Sequence, residues 1–287
     1  MLSRRTDVVD LVWDLRLERI TLGGALVLRQ EGEILAAVQG CQRIALHIVC
    51  RFDERVAVER IALIVFGSSK YPFDIFYSED QVNGWPSISH RLQDNFSYFA
   101  FARIAELHKL TGIKPRLDWN DAFATAACLK RSNFPGRLYC VHLRSIEPFE
   151  PEESNACGMA WSIFFERHAK PGERDFLLLG DDPMPKGLGL MPGVSRAKLD
   201  PHCLNLATQL ALIATSDGFL GMASGICTAA NFSDTPHVIF KHPAHHAAEM
   251  ERELGTAKSF SFASERQQLW RRVATCDALD EAFEEII

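Results

Sequence analysis

The sequence predicts an α/β protein of two domains, each built around a parallel β-sheet. Its 287 residues, of which 47% are hydrophobic and 24% charged, suit two modest globular domains. Apolar runs of strand length alternate with segments of helical periodicity, most clearly in the second half. This alternation implies right-handed crossovers and parallel strands, which bind ligands at their carboxyl ends.

The charge balance excludes several classes of partner. The 31 basic and 37 acidic side chains give a net charge of −6, which provides no general attraction to nucleic acid or to an anionic membrane surface. Asp10, Asp14 and Arg16 interrupt the first apolar segment before it can form the core of a secretory signal. The run over 61–66 is far shorter than the ~20 residues of a membrane span. We therefore expect a soluble, cytoplasmic protein without a membrane span.

Neither the cysteines nor the histidines form a clear metal-binding pattern. The eight cysteines include no CxxC pair and most have apolar neighbours, which favours buried free thiols over disulfides or a zinc site. Four histidines near the C-terminus lack helical spacing with a carboxylate partner. They are His237, His242, His245 and His246. We interpret this segment as a solvated loop and predict no metal site.

The first half contains fewer clear elements than the second. The predicted elements are a strand over 19–28, a short helix over 31–38, strands over 43–50 and 61–66, and a helix over 96–110. The continuous β-branched run 61–66 is of the kind buried on both faces of a parallel sheet. The aromatic residues between Tyr71 and Trp85 indicate a long loop, which often covers a site. The segment 132–136 is interpreted as the connection between two domains, 1–133 and 134–287.

The second half alternates strands and helices throughout. The predicted strands are 138–143, 176–179, 218–221 and 237–240, and the predicted helices are 160–168, 204–215 and 225–232. Glycine and proline punctuate these segments, as at Pro171-Gly172 and Pro183. The pattern predicts a nucleotide-binding, Rossmann-like domain over 134–287.

The first candidate site lies at the end of strand 138–143. His142 and Arg144 stand at alternate positions, so their side chains point to the same face. At the carboxyl end of a parallel strand, Arg144 could donate a pair of hydrogen bonds to a diphosphate and neutralise charge on a leaving nucleotide. The alternative is that His142 is a core histidine and Arg144 a salt-bridge partner.

The second candidate site follows strand 176–179. Gly180, Asp181 and Asp182 end this strand, and the two carboxylates can accept hydrogen bonds from a ribose or a base. Asp-Asp-Pro is also a common turn and helix-start sequence, and for either aspartate alone this structural explanation is slightly favoured.

The third candidate site surrounds strand 218–221, where a small-residue turn opens into a helix. Backbone N–H groups of such a turn and the positive end of the helix dipole bind anions. The predicted substrate-binding residues here are Asp217, Ser224, Gly225 and Thr228. A GxGxxG motif is absent.

These three segments together resemble the donor-binding half of GT-B glycosyltransferases, especially the α-1,6-fucosyltransferase and NodZ-like group and, more loosely, the bacterial heptosyltransferases. In the fucosyltransferase-like group a strand ends in His-x-Arg, whose arginine binds the diphosphate of a GDP-sugar, and here His142-Leu143-Arg144 matches it. Asp181-Asp182-Pro183 matches an Asp-Asp turn, and Ser224-Gly225 matches a turn that binds phosphate. The resemblance covers about half of the chain.

The resemblance implies two Rossmann-like domains with parallel sheets facing a cleft. Residues 1–133 would then form the acceptor side and 134–287 the nucleotide-sugar side. The implied reaction is transfer of a sugar from a nucleoside diphosphate donor, with a GDP-sugar favoured, to an unknown glycan, lipid or small-molecule acceptor. No further cofactor is implied, and catalysis would be metal-independent because Arg144, assisted by His142, and the turn at Ser224 would carry the leaving-group charge.

Two alternatives come from other functional classes. The arginine motif is incomplete, because Ser145-Ile146-Glu147 follows it where the fucosyltransferase-like group usually has a second arginine and an aspartate. This departure and the short first domain favour a non-catalytic module that retains the nucleotide pocket and binds a partner through the Tyr71–Trp85 loop. A nicotinamide-dependent oxidoreductase is disfavoured because GxGxxG and its acidic ribose partner are missing. The sequence does not identify a general base, since Asp74, Asp80 and His90 fit ordinary loop residues better.

Overall fold

The computed structural model describes residues 7–16, 19–79, 100–145, 155–180, 184–185, 187–199 and 205–287. They divide into two compact units, Met1–Asn120 and Asp121–Ile287. The elements of the first unit are β1 (Val8–Asp14), α1 (Leu22–Gln39), β2 (Arg43–Val49), α2 (Arg55–Val65), β3 (Phe73–Ser78) and α3 (Ala100–Thr111). Strands β1, β2 and β3 form a parallel sheet in that order, as predicted for an α/β protein.

Helix α1 replaces the strand predicted over 19–28. The Thr21 hydroxyl caps the helix by accepting a hydrogen bond from Gly24 N (3.1 Å), so Gly23 and Gly24, which lie inside the predicted strand, form part of the first helical turn. The helix ends at Gly40, whose φ of 68° is favourable for glycine. Arg29 is fully buried in α1 and pairs with Glu33 (2.7 Å) one turn later, which accounts for the charged residues inside this helix.

The strand predicted over 61–66 is also wrong, because these residues end helix α2. Val58, Ala62 and Val65 are buried at helical spacing, whereas Leu63 is exposed. The apolar run alone did not distinguish a strand from a helix, but the spacing that begins at Val58 does.

The predicted long loop after residue 67 contains a strand, β3. Its residue Asp74 forms a solvent-exposed ion pair with Arg43 of β2 (2.8 Å), so the carboxylate joins two strands. The other residues considered as bases, Asp80 and His90, lie outside the described residues.

The second unit contains twelve helices and strands among the described residues. They are α4 (Asp121–Ser132), β4 (Arg137–His142), α5 (Gly158–His168), β5 (Arg174–Leu179), β6 (Val194–Arg196), α6 (Leu206–Ile213), β7 (Gly218–Met222), α7 (Cys227–Asn231), β8 (His237–Phe240), α8 (Ala247–Leu254), β9 (Gln267–Trp270) and α9 (Cys276–Ile286). The strands form one parallel sheet in the order β6-β5-β4-β7-β8-β9. The four strands predicted in this half are confirmed, and β6 and β9 extend the sheet at its two sides.

An aromatic core covers one face of this sheet. Tyr139 and Phe176 from neighbouring strands pack against Phe164 of α5 and Phe283 of α9, with ring centroids 4.9–5.7 Å apart. Since side chains alternate along a strand, residues such as His142 point to the other face. The core therefore fixes the strand orientation that aligns the strand ends.

The boundary between the two units lies one helix earlier than the predicted boundary after residue 133. Helix α4 packs against α6. Arg131 of α4 also donates a hydrogen bond to the Asp217 carboxylate (2.7 Å). These contacts assign α4 to the second unit.

None of the helices within the described ranges is long and apolar enough to cross a membrane. Four of the seven described cysteines are buried, as predicted: Cys41, Cys50, Cys140 and Cys227. Cys128 and Cys157 are exposed instead.

Candidate functional site

His142 is the last residue of β4 and lies inside the sheet. Its side chain is fully buried, and Nδ1 lies 3.0 Å from the carbonyl oxygen of Leu179 at the end of β5. Gly180 follows with a φ of 103°, and a Cβ atom at this position would lie 3.1 Å from the His142 ring. The histidine therefore links the ends of two strands, which favours the core-histidine interpretation over direct contact with a ligand.

Arg144 lies two residues beyond β4 and extends across the end of β7. Its Nη1 atom donates a hydrogen bond to the carbonyl oxygen of Ala223 (3.3 Å), the first residue after β7. Ser224 and Gly225 come next in the chain. The structure therefore brings together two of the three predicted segments, the His-x-Arg strand end and the Ser-Gly turn.

The turn after β7 is tightly packed. Ser224 Oγ lies 3.7 Å from the Cys227 thiol, which donates to the carbonyl oxygen of Met222 (3.0 Å). Burial raises the pKa of Cys227 to about 11, so this thiol is neutral and unreactive at neutral pH. Thr228 is buried, and α7 is only five residues long, shorter than the predicted helix over 225–232. Any anion site here depends on the Ser224–Gly225 turn more than on a helix dipole.

The end of β5 is held by a residue that the sequence did not single out. Gly180 N donates to the side-chain oxygen of Gln209 on α6 (2.8 Å). The predicted ligand contacts Asp181 and Asp182 lie outside the described residues. That these two carboxylates contact the donor stays a prediction.

Asp217 lies at the edge of the sheet away from the other candidates. It precedes β7, and its carboxylate accepts hydrogen bonds from Arg131 (2.7 Å) and from the backbone N of Leu138 at the start of β4 (2.8 Å). These contacts are structural, and they place Asp217 at the amino ends of the strands. We therefore remove Asp217 from the candidate site.

A second cation lies at the carboxyl edge, outside the residues predicted from the sequence. Lys241 directly follows β8, and its N donates to the carbonyl oxygen of Trp270 (2.9 Å). Burial lowers the pKa of its ammonium group. The sequence feature that indicates Lys241 is its position directly after the predicted strand 237–240.

The histidine cluster is divided between the two edges of the sheet. His237 starts β8, whereas His242, His245 and His246 lie in the turn before α8. Within the described ranges, no group of three or more His, Cys, Asp or Glu side chains is arranged to hold a metal ion. The carboxyl edge combines two cations with a small-residue turn, an arrangement that can bind a phosphate-bearing ligand.

Two solved structures share the fold of this chain. The first is the glycosyl transferase family 9 protein from Veillonella parvula DSM 2008, which is 11% identical with a TM-score of 0.54 over 98% of this chain and 90% of that one. The second is the E. coli heptosyltransferase WaaC with ADP, which is 12% identical with a TM-score of 0.54 over 97% of this chain and 100% of that one. No protein-family model and no curated protein matches the sequence.

These similarities establish the fold. The chain has the α/β architecture of GT-B glycosyltransferases, with two parallel sheets, as the sequence predicted. The two neighbours agree with the looser of the two resemblances, to heptosyltransferases. The resemblance to the α-1,6-fucosyltransferase and NodZ-like group stays a prediction.

Proposed function

We propose that this chain is a glycosyltransferase that takes its sugar from a nucleoside diphosphate donor bound at the carboxyl edge of the second sheet. The observation that carries the proposal is the position of Arg144 across the end of β7, beside the Ser224–Gly225 turn. Guanidinium groups bind phosphate oxygens through pairs of hydrogen bonds, and small-residue turns allow close approach of the ligand. The fold shared with two glycosyltransferases supports the same assignment.

In the proposed reaction, the acceptor hydroxyl oxygen forms a bond to the anomeric carbon of the sugar. The bond from that carbon to the diphosphate oxygen breaks, and its electron pair stays on the departing nucleoside diphosphate. Arg144 stabilises the charge that develops there, without a metal ion. The hydroxyl proton goes to a base that is not identified, and His142 acts by positioning the ends of β4 and β5.

Two nucleotides are candidates for the donor, and they differ in their nucleobase. The resemblance on which His142-Leu143-Arg144 was matched favours a GDP-sugar, whereas the E. coli heptosyltransferase was solved with ADP. We propose GDP first and ADP second. The acceptor is a glycan, a lipid or a small molecule.

A thermal-shift panel tests the donor site. GDP, ADP, UDP and TDP, with their sugars, are each added at millimolar concentration, and the corresponding nucleosides serve as controls. A ligand that binds only the folded protein stabilises it by ~2.7 kcal/mol at 100 times its dissociation constant. We expect one diphosphate series to raise the melting temperature, and to do so equally in EDTA. If none of them moves the melting curve, the donor site is disproved; loss of binding in EDTA would disprove metal independence.

Donor hydrolysis by the purified protein then tests catalysis. Slow release of free sugar from the stabilising nucleotide-sugar is expected of a transferase without its acceptor. Binding without hydrolysis or transfer would instead support the non-catalytic module.

A further inference from the structure

Four residues continue the strand register past the carboxyl edge of the second sheet. Gly221 of β7 pairs with His142 on one side and with Ile239 on the other. The ladder extends beyond the strands, since Lys241 N donates to the carbonyl oxygen of Trp270 (2.9 Å). Extending this register by two residues gives a row made of Arg144, Ala223, Lys241 and Arg271, which alternation assigns to the same face as His142.

This row places two cations on either side of one turn. Neighbouring strands are ~4.8 Å apart, so Arg144 and Lys241, separated by β7, begin ~10 Å apart with Ala223 between them. Alternation along the strands assigns both residues to the same face of the sheet, and Arg144 already reaches Ala223 O. A group bound over the Ser224–Gly225 turn therefore lies within reach of both.

The cations of this row differ in what they contact. Arg271 is used by the protein itself, because it forms an ion pair with Glu251 (2.8 Å) and donates to Gly255 O (3.2 Å). Lys241, by contrast, takes part in none of the ion pairs within 4.0 Å found in the described part of the chain.

The surroundings of Lys241 are positive on the side of Arg144. Burial is the largest cause that lowers the pKa of Lys241, and Arg144 and Arg271 lower it further, while Glu253 and Glu249 of α8 oppose them. The turn before α8 adds three histidines, His242, His245 and His246. Burial, together with the nearby His246 and Lys241, lowers the pKa of His245 to about 4, so His245 is uncharged at neutral pH. An anion between Lys241 and Arg144 would relieve their repulsion.

We propose that Lys241 is the second cation of the diphosphate site. It binds the donor from the β8 side of the Ser224–Gly225 turn, while Arg144 binds it from the β4 side. The inference rests on the proposed function, since it assigns a further binding residue to the same site. It also predicts what the site recognises: the diphosphate itself, with two cations flanking the turn. Nucleosides without phosphate would not use Lys241.

The test compares Lys241→Met with Lys170→Met, an exposed lysine that precedes β5 at the opposite edge of the sheet. Inorganic pyrophosphate, ADP and GDP are titrated against the full chain by calorimetry. We expect Lys241→Met to weaken the binding of all three by about 10-fold, because a charge-assisted contact is lost, and Lys170→Met to leave it unchanged. Lys241→Met should melt no earlier than wild type, since it removes a partly buried charge that has no ion-pair partner within 4.0 Å among the described residues.

A pH series separates a ligand contact from a structural role. In the wild type, affinity for ADP should fall as the pH is raised toward 10.5, the ordinary pKa of lysine, because Lys241 loses its proton earlier. Lys241→Arg should bind with little of this decline, since arginine stays charged. If Lys241 is instead a structural partner of Glu249 and Glu253, Lys241→Met melts earlier and binds with wild-type affinity, which overturns the inference.

The two proposals fail in different ways. If wild type binds ADP or GDP and Arg144→Ala weakens that binding while Lys241→Met does not, the inference about Lys241 is wrong and the donor site stands. If wild type binds neither the nucleotides nor pyrophosphate, the donor site is wrong and Lys241 loses its role with it.

Discussion

The two edges of the six-stranded sheet use polar side chains for different purposes. At the amino edge, the Asp217 carboxylate accepts hydrogen bonds from Arg131 and from Leu138 N, and the buried His237 places Nδ1 3.1 Å from Thr235 O. Each of these groups is satisfied by a neighbouring segment of the same unit. The amino edge therefore holds the sheet together.

The carboxyl edge has cations next to a turn of small residues. Arg144 contacts a backbone carbonyl, and Lys241 has no ion pair within the described ranges. In a parallel sheet both edges carry polar residues, so polarity alone does not mark a ligand site. The two edges therefore differ in the partners of their polar groups, and this difference distinguishes the structural residues from the candidate binding residues.

The largest expected effect is on Arg144. Arg144→Ala removes a charge-assisted contact of ~1.5–3 kcal/mol, so nucleoside diphosphate binding should weaken roughly 10- to 150-fold while nucleoside binding stays nearly intact. Arg144→Lys should restore only part of the loss, because an ammonium group lacks the planar arrangement of donors. Calorimetric titration measures both.

Arg144→Ala also tests whether Arg144 has a structural role. Because the variant loses the hydrogen bond to Ala223 O, we expect its melting temperature without ligand to fall only slightly. A folded variant with wild-type diphosphate affinity would remove Arg144 from the site, and an early melting variant that loses nucleoside and diphosphate affinity alike would make it structural.

The opposite result is expected at the amino edge. Asp217→Ala breaks the ion pair with Arg131 and leaves Leu138 N without its acceptor, which should lower the free energy of unfolding by about 2 kcal/mol. Denaturant unfolding measures this loss, and diphosphate affinity of the folded variant should be unchanged. Weakened affinity with normal stability would return Asp217 to the binding site and erase the distinction between the edges.

The smallest effect is a pH dependence from His237. Burial lowers its pKa from 6.5 to about 4 in the folded protein. Because the unfolded chain binds the proton first, the stabilisation is present above pH 6.5 and is lost as the pH falls toward 4. When the pH is lowered from 6.5 to 5.5, protonation linked to His237 should reduce the free energy of unfolding by about 1 kcal/mol.

His237→Gln provides the comparison for this pH effect. The variant should lose less stability than wild type over the same interval in denaturant unfolding, whatever its stability at pH 7. Identical losses in the two proteins would mean that His237 is accessible to protons in the folded state.

The fold was predictable where local patterns were unambiguous. The strands at 138–143, 176–179, 218–221 and 237–240 are short apolar runs bounded by turns, and the structure confirms all four with small shifts of their ends. In the first half, the strands predicted over 19–28 and 61–66 are wrong, because helices α1 and α2 occupy most of these residues. For 61–66 the distinguishing feature is the helical spacing of Val58, Ala62 and Val65, which begins before the apolar run.

The candidate site was predictable in part. The sequence identified Arg144 and the Ser224–Gly225 turn, which the structure brings together. It also grouped Asp217 with them, although a residue that precedes a parallel strand lies at the amino edge. Lys241 was not predicted, because the segment that follows strand 237–240 is rich in histidine and was interpreted as a solvated loop.

The sequence by itself determined the alternation of elements and the composition of each strand end, because these depend on periodicity and turn residues close together in the chain. Only the tertiary structure decided that β7 lies between β4 and β8, so that Arg144 and Lys241 flank one turn. Likewise, only packing placed His142 inside the sheet, against Leu179 and Gly180. Strand order and burial result from contacts between segments distant in the chain, and a single local pattern is compatible with several such arrangements.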